Sequence, residues 1–130
     1  MMPETRTVVC IEDEAAVREL VTLVLRQRHL RVIGAANGAE GLARIARERP
    51  ALVLLDLALP DMDGWHVYRQ MKAMPVMRNV PVMVITARTK SVDRLLGLQV
   101  AQVDGYLTKP FDARQLLRRL DQLLPPVPDG

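Results

Sequence analysis

Cysteine is almost absent from this chain of 130 residues: Cys10 is the only one. A single thiol rules out an intramolecular disulfide framework and any multi-cysteine zinc site. Aromatic residues make up 3% of the chain, so its core must be aliphatic. No apolar run approaches the ~18 residues needed to cross a bilayer. The N-terminus, MMPETRTVVCIEDE, lacks the charged-then-apolar pattern of a secretory signal. These absences read as a reduced, cytoplasmic protein without membrane association. Neither a staple nor a structural metal is required, because a domain of this length buries roughly 68% of the surface its unfolded chain exposes.

Eighteen basic residues against fifteen acidic ones give a net charge of +3. A basic balance raises the question of nucleic acid. The arginines, however, are dispersed at helical spacing along polar faces, and no aromatic interleaves them as a base-stacking platform requires. They read as solvated helix faces, in a domain that does not itself bind nucleic acid.

Two periodicities alternate along the chain. Val8-Val9-Cys10-Ile11 is a continuous apolar run. Val17, Leu20, Val21, Val24 and Leu25 then recur on one helix face. A second extended run covers 30–36, and Ala39, Leu42, Ala43 and Ala46 mark a helix that Pro50 stops. Leu52-Val53-Leu54-Leu55 is a third run, followed by a helix carrying Trp65, Tyr68, Met71 and Lys72 that ends at Pro75. The fourth run spans 80–85, with Pro81 near its start, where a strand tolerates proline. A fourth helix over 92–102, a short strand at Tyr106-Leu107-Thr108 and a fifth helix carrying Leu116, Leu117, Leu120, Leu123 and Leu124 complete the pattern.

Strand and helix thus repeat five times, and the strands lack polar alternation, as parallel strands covered on both faces do. The expected fold is α/β: an open five-stranded parallel sheet, doubly wound, with helices on both faces and the flavodoxin-like order 2-1-3-4-5. Residues 1–124 form one domain, and the proline-rich 125–130 a tail or the start of a linker.

In such sheets functional groups collect at the carboxyl ends of the strands. Glu12-Asp13-Glu14 follows the first strand, Asp56 closes the third, Thr86 the fourth, and Lys109 follows the fifth. Each has an ordinary use alone: Asp13 as a helix cap, Asp56 as the start of a turn, Thr86 as a cap, Lys109 as a solvated charge. All four at one sheet edge is a different matter. Clustered carboxylates raise one another's pKa unless a cation sits between them, and hard, partly hydrated oxygen donors suit Mg²⁺. With Lys109 as a positive point charge and Thr86 as a hydroxyl donor, the edge would bind a phosphoryl group against a metal ion. Asp56, in the middle, is the nucleophile for an acyl phosphate.

The segments Ile11-Glu12-Asp13-Glu14, Leu54-Leu55-Asp56-Leu57-Ala58-Leu59-Pro60-Asp61-Met62-Asp63-Gly64, Val84-Ile85-Thr86-Ala87 and Tyr106-Leu107-Thr108-Lys109-Pro110-Phe111 resemble, in this order, the receiver domain of two-component response regulators. The likeness covers about residues 7–124. The resemblance implies that Asp56 accepts a phosphoryl group from a sensor histidine kinase or a phosphotransfer protein. It implies Mg²⁺ held by Asp13, Asp56 and the backbone carbonyl of Ala58, with Glu12 acting through a bound water. It implies that Thr86 and Lys109 contact the phosphoryl oxygens, that the small Ala87 leaves room for them and offers a backbone contact, and that Lys109-Pro110 is a cis peptide. Thr86 and Tyr106 would be the switch, altering the face of the fourth helix, fifth strand and fifth helix for a downstream protein, an effector domain or a phosphorylation-dependent homodimer. That face carries Lys90, Asp93, Arg94, Asp104, Arg118 and Arg119, with Gln115 where an acid is expected. Gln102-Val103 departs from the Gly-Ala pair that normally ends the fourth helix. Arg88 and Ala58 stand where the family varies its dephosphorylation rate.

Such a domain is not a turnover enzyme; its only chemistry is self-catalysed phosphoryl transfer and acyl-phosphate hydrolysis. A haloacid-dehalogenase-like phosphatase is the rival enzyme reading. It places a second aspartate two residues after the nucleophile, where this chain has Ala58. A receiver fold that is never phosphorylated is the rival binding-module reading, and the retained site residues count against it. Trp65 and Met62 read as an Asp-Gly turn feeding an amphipathic helix rather than as a ligand pocket. Cys10 reads as an inert buried thiol, and His29 and His66 lack metal-ligand spacing.

Overall fold

The computed structural model describes residues 6–87 and 103–124. The uninterrupted apolar runs become strands β1 (Thr7–Ile11), β3 (Leu52–Asp56) and β4 (Val82–Ala87). With β2 (Arg31–Ala35) and β5 (Gly105–Lys109) they form one parallel sheet of order β2-β1-β3-β4-β5. Helices α1 (Ala15–Arg26), α2 (Gly38–Glu48) and α3 (Gly64–Lys72) and a C-terminal helix (Ala113–Leu123) cover it. The expected helix at 92–102 lies outside the described residues, as do Arg88, Lys90, Asp93 and Arg94 and the tail 125–130.

Strand alternation sorts the core into two layers. Val8, Cys10, Leu52, Leu54, Met83 and Ile85 face α1 and the C-terminal helix, meeting Val21, Leu25, Leu116 and Leu120. Val9, Ile11, Val53, Leu55, Val82 and Val84 face α2 and α3, meeting Ile45, Val67 and Met71. Burial on both faces holds for the three central strands but not for the edges. In β2, Arg31 and Gly34 are exposed, and in β5 only Leu107 is buried. An edge strand has a neighbour on one side only, and the helices overlap the middle of the sheet.

Local chemistry fixes where the helices begin and end. The Asn37 side chain accepts the Glu40 N–H at 2.8 Å to start α2, and Asp63 accepts that of Trp65 at 2.9 Å to start α3. Asp112 and Gln115 close a reciprocal capping box on the C-terminal helix. Gln115, the residue that departs from an expected acid, therefore has a local role in the cap. α2 stops with Arg49 in the left-handed region (φ 48°), followed by Pro50, which cannot donate a hydrogen bond. Pro75 opens a short 3₁₀ turn over Pro75–Met77, after α3 has ended.

Two arginines are not the solvated groups expected. Arg18 donates from Nη1 to the Glu12 carbonyl. Arg28 forks onto Asp121 with two 2.9 Å bonds, tying the end of α1 to the C-terminal helix. The pair is about one-third exposed on each side, so it contributes no more than about 1 kcal/mol. Asp104 is committed to the sheet: its carboxylate accepts the Val82 N–H at 2.9 Å, and its own N–H donates to the Val82 carbonyl at 3.0 Å.

Cys10 is buried within β1 and free. Burial, with Glu12 nearby, pushes its thiol up to about 12, so almost no thiolate exists near neutral pH. A thiol reagent at pH 8 will label Cys10 only at the rate of global unfolding, and denaturant will release the full signal. Fast labelling of the folded protein contradicts this.

Candidate functional site

Parallel topology brings every strand's carboxyl end to one edge, and four of the predicted groups meet there. Asp56 ends β3 at 2% exposure and Glu12 follows β1 at 0%, whereas Asp13 is exposed. Lys109 ends β5 and reaches back across the sheet. Its Nζ lies 2.9 Å from Asp56 Oδ2, 2.9 and 2.8 Å from the two Glu12 oxygens, and 3.1 Å from Glu14 Oε1. The other Asp56 oxygen, Oδ1, accepts the Ala58 N–H at 2.9 Å. The Glu14 N–H donates to Glu12 Oε1 at 3.0 Å. Lys109-Pro110 is cis, as expected.

The carboxylate cluster therefore differs from the expectation in one respect. A cation, the Lys109 ammonium, already lies among the carboxylates, so mutual repulsion is not the dominant feature of the metal-free site. Burial is the main reason Glu12 is raised to about 7, with Asp56 adding to it; the Lys109 ammonium and the Glu14 N–H oppose the rise. Burial alone would lower the Lys109 pKa, but the bonds to Glu12 and Asp56 outweigh it and hold the lysine above its ordinary value.

A pH dependence follows. The folded state holds more protons on Glu12 than the unfolded state does between pH 4.5 and about 7. Stability from this group is therefore present at the acid end of that window and lost as pH rises through it. In metal-free buffer the melting temperature should fall from pH 5 to pH 7.5, and Glu12→Gln should flatten that slope. An unchanged slope in Glu12→Gln would assign the dependence elsewhere.

Each of Glu12, Asp13 and Asp56 offers an oxygen within 4.8 Å of the others. Hard oxygen donors, one of them on an exposed residue, fit a hydrated divalent ion such as Mg²⁺. Thr86 Oγ1 is buried with no hydrogen-bond partner among the described residues. An unpaired buried hydroxyl costs free energy, and this one is available to an incoming oxygen ligand. Ala87 is exposed and pairs with Lys109 across β4 and β5. Tyr106 differs from a surface aromatic: it is partly buried and already packs against the α2–α3 core layer. Trp65 is buried edge-on against Tyr68, in keeping with a core role.

The loop between β3 and α3 holds contacts that sequence patterning does not reveal. Ala58 and Asp63 form an antiparallel bridge, and the Gly64 N–H donates to the Leu57 carbonyl at 3.1 Å. A Cβ on Gly64 would lie 2.4 Å from Leu57 Cα, so only glycine closes this neck. At the tip, Asp61 accepts the N–H groups of Gly38 (2.7 Å) and Ala39 (3.0 Å). These two bonds hold its carboxyl below the usual range.

The model of one protein family, the response regulator receiver domain, matches residues 8–121. Among curated proteins, the sensory transduction protein RegX3 of Mycolicibacterium smegmatis is 35% identical over 91% of this chain and 50% of its own length. The alkaline phosphatase synthesis transcriptional regulatory protein SphR of Synechococcus elongatus is 38% identical over 94% of this chain and 49% of its own. The chain thus spans about half the length of these relatives. Among solved structures, the chemotaxis response regulator CheY4 of Vibrio cholerae superposes with a TM-score of 0.83 at 25% identity, covering 93% of this chain and 100% of that one. The receiver domain of the sensor histidine kinase PA1611 from Pseudomonas aeruginosa, solved with magnesium in its active-site cleft, gives 0.81 at 30% identity, covering 92% and 98%. Among the described residues, no helix is long and apolar enough to cross a membrane.

Proposed function

The chain belongs to the family of response regulator receiver domains, and from that premise we propose that Asp56 is its phosphoacceptor, taking a phosphoryl group from the phosphohistidine of a sensor histidine kinase or phosphotransfer protein. One observation carries this reading. Asp56 is an almost buried carboxylate whose two oxygens are held apart, one by the Ala58 N–H and one by Lys109. Its orientation is thus fixed before a donor arrives, which is the proximity contribution to transfer.

An Asp56 oxygen attacks phosphorus, the phosphorus–nitrogen bond breaks, the imidazole leaves with the electron pair, and an acyl phosphate remains. Glu12, Asp13, Asp56 and the Ala58 carbonyl would hold Mg²⁺, with Glu12 acting through water; bound there, the ion supplies positive charge against the phosphoryl oxygens. Lys109 shifts its bonds from Asp56 to a phosphoryl oxygen. The unpaired Thr86 hydroxyl donates to another, and Ala87 contributes its backbone N–H and a small side chain that leaves room. No substrate turns over; the domain forms and hydrolyses its own acyl phosphate. Drawing Thr86 toward the site alters the packing beside Tyr106, and the face containing β5 and the C-terminal helix passes the state to an effector domain or a separate protein, or pairs two copies.

The test is Mg²⁺ with beryllofluoride, a phosphoryl mimic, followed by amide exchange. Binding should change protection at residues 56–58, 84–87 and 105–120. A folded protein that binds neither Mg²⁺ nor beryllofluoride defeats the phosphoacceptor reading; binding without a change at 105–120 defeats the coupling.

A further inference from the structure

We propose that Asp61 is a positioning residue for the metal site: by clamping the loop after β3 to the start of α2, it sets where the Ala58 carbonyl stands relative to Glu12 and Asp13. The inference rests on the assignment of these residues as Mg²⁺ ligands.

Leu57 is buried and Leu59 and Met62 pack against the core, whereas Ala58, Pro60, Asp61 and Asp63 are exposed, so the polar side of this loop is placed by hydrogen bonds rather than by packing. Its neck is closed by the Ala58–Asp63 bridge and by the Gly64–Leu57 bond. Its tip is held by Asp61, whose two oxygens take the Gly38 and Ala39 N–H groups across 23 and 22 residues of sequence. A helix leaves its first N–H groups without internal partners. The helix's own cap, Asn37, satisfies that of Glu40, and Asp61 satisfies two that remain.

The contact is also built sterically. A Cβ on Gly38 would lie 2.6 Å from Met62 Cγ and 2.8 Å from Val67 Cγ2. The residue beside Asp61 therefore packs directly onto the helix start because Gly38 has no side chain. The same junction anchors the opposite side of the site, since the Glu12 N–H donates to the Ala35 carbonyl at 2.9 Å. Glu12 is thus registered to the Ala35 carbonyl, and the Ala58 loop to the Gly38 and Ala39 N–H groups, bonds in which the Asn37 side chain takes no part. Removing Asp61 releases one side only.

Metal-site support of this kind is worth about 10-fold or more in metal affinity. The experiment is an Mg²⁺ titration of the whole chain by amide NMR, run on wild type, Asp61→Ala, Asp61→Asn and Asn37→Ala. Asp61→Ala should weaken Mg²⁺ binding about 10-fold. It should also slow labelling by acetyl phosphate at limiting Mg²⁺ while leaving the rate at saturating Mg²⁺ close to wild type. Asp61→Asn keeps one acceptor oxygen and should fall between wild type and Asp61→Ala. Asn37→Ala weakens the start of α2 without touching the loop and should bind Mg²⁺ like wild type, though it melts lower. Wild-type affinity in a folded Asp61→Ala, an Asp61→Asn no better than alanine, or an equal loss in Asn37→Ala would each overturn the inference and leave only a helix cap. Failure of the wild type itself to bind Mg²⁺ would instead overturn the metal-site assignment beneath it.

Discussion

Asp56→Asn protein, incubated with acetyl phosphate and Mg²⁺, will carry no acyl phosphate, and mass spectrometry of the wild type will place all of its label on Asp56. The amide keeps the volume and one acceptor oxygen, so the Ala58 N–H retains a partner and the fold should survive. What it loses is the nucleophile, since a neutral amide oxygen does not form a stable acyl phosphate. The neighbouring carboxylates do not substitute. Glu12 is fully buried beneath Lys109, and Asp13 is exposed, with no donor holding its orientation among the described residues. Lys109→Ala, by contrast, should still accept label slowly, because the lysine steadies the phosphoryl oxygens without delivering the group. Equal labelling of wild type and Asp56→Asn would remove Asp56 from its role.

The sheet and the four-residue edge are legible in the sequence because both follow from short-range rules. Continuous aliphatic runs such as Leu52-Val53-Leu54-Leu55 read as strands covered on both faces, and parallel strands place their last residues together. The edges are less legible: Arg31 and Gly34 interrupt the run at β2 and both are exposed, but that β2 stands at an edge depends on strand pairing that periodicity does not contain. Other features are invisible in the sequence because they join distant parts of the chain. Arg28 meets Asp121 across 93 residues and Asp61 meets Gly38 across 23. Neither leaves a local pattern, and Arg28 alone reads as a solvated charge. Asp104 reads as one charge of the output face, and nothing local shows that its carboxylate also accepts the Val82 N–H and joins the starts of β4 and β5. At the site, spacing supplies the residue types but not their pairing. That Lys109 contacts Glu12, Asp56 and Glu14 together depends on how far β5 extends, and β5 runs to Lys109 itself.

That triple contact makes Lys109→Met the substitution with the largest effect on stability. Methionine preserves most of the stem's volume and removes the ammonium, leaving Glu12 at 0% exposure and Asp56 at 2% without their shared cation. Breaking a buried ion pair from one side costs about 3–5 kcal/mol. The lower end applies here, because the lysine side chain keeps 13% exposure. A loss of about 3 kcal/mol corresponds to roughly 10 °C in melting temperature for a domain of this size. The sign with pH is fixed by Glu12, which is already raised to about 7 and loses with Lys109 one of the two contacts opposing that rise. Its carboxyl will hold a proton to higher pH in the variant, so the deficit should be smallest near pH 5.5 and largest at pH 8. Millimolar Mg²⁺ should recover more stability in the variant than in wild type, since the ion would supply the missing positive charge. Thermal melts at the two pH values, with and without Mg²⁺, measure all three effects. A variant that melts within a degree or two of wild type at pH 8 without metal would mean that water, not Lys109, neutralises the buried carboxylates, and the account of the metal-free site given by these distances would fail.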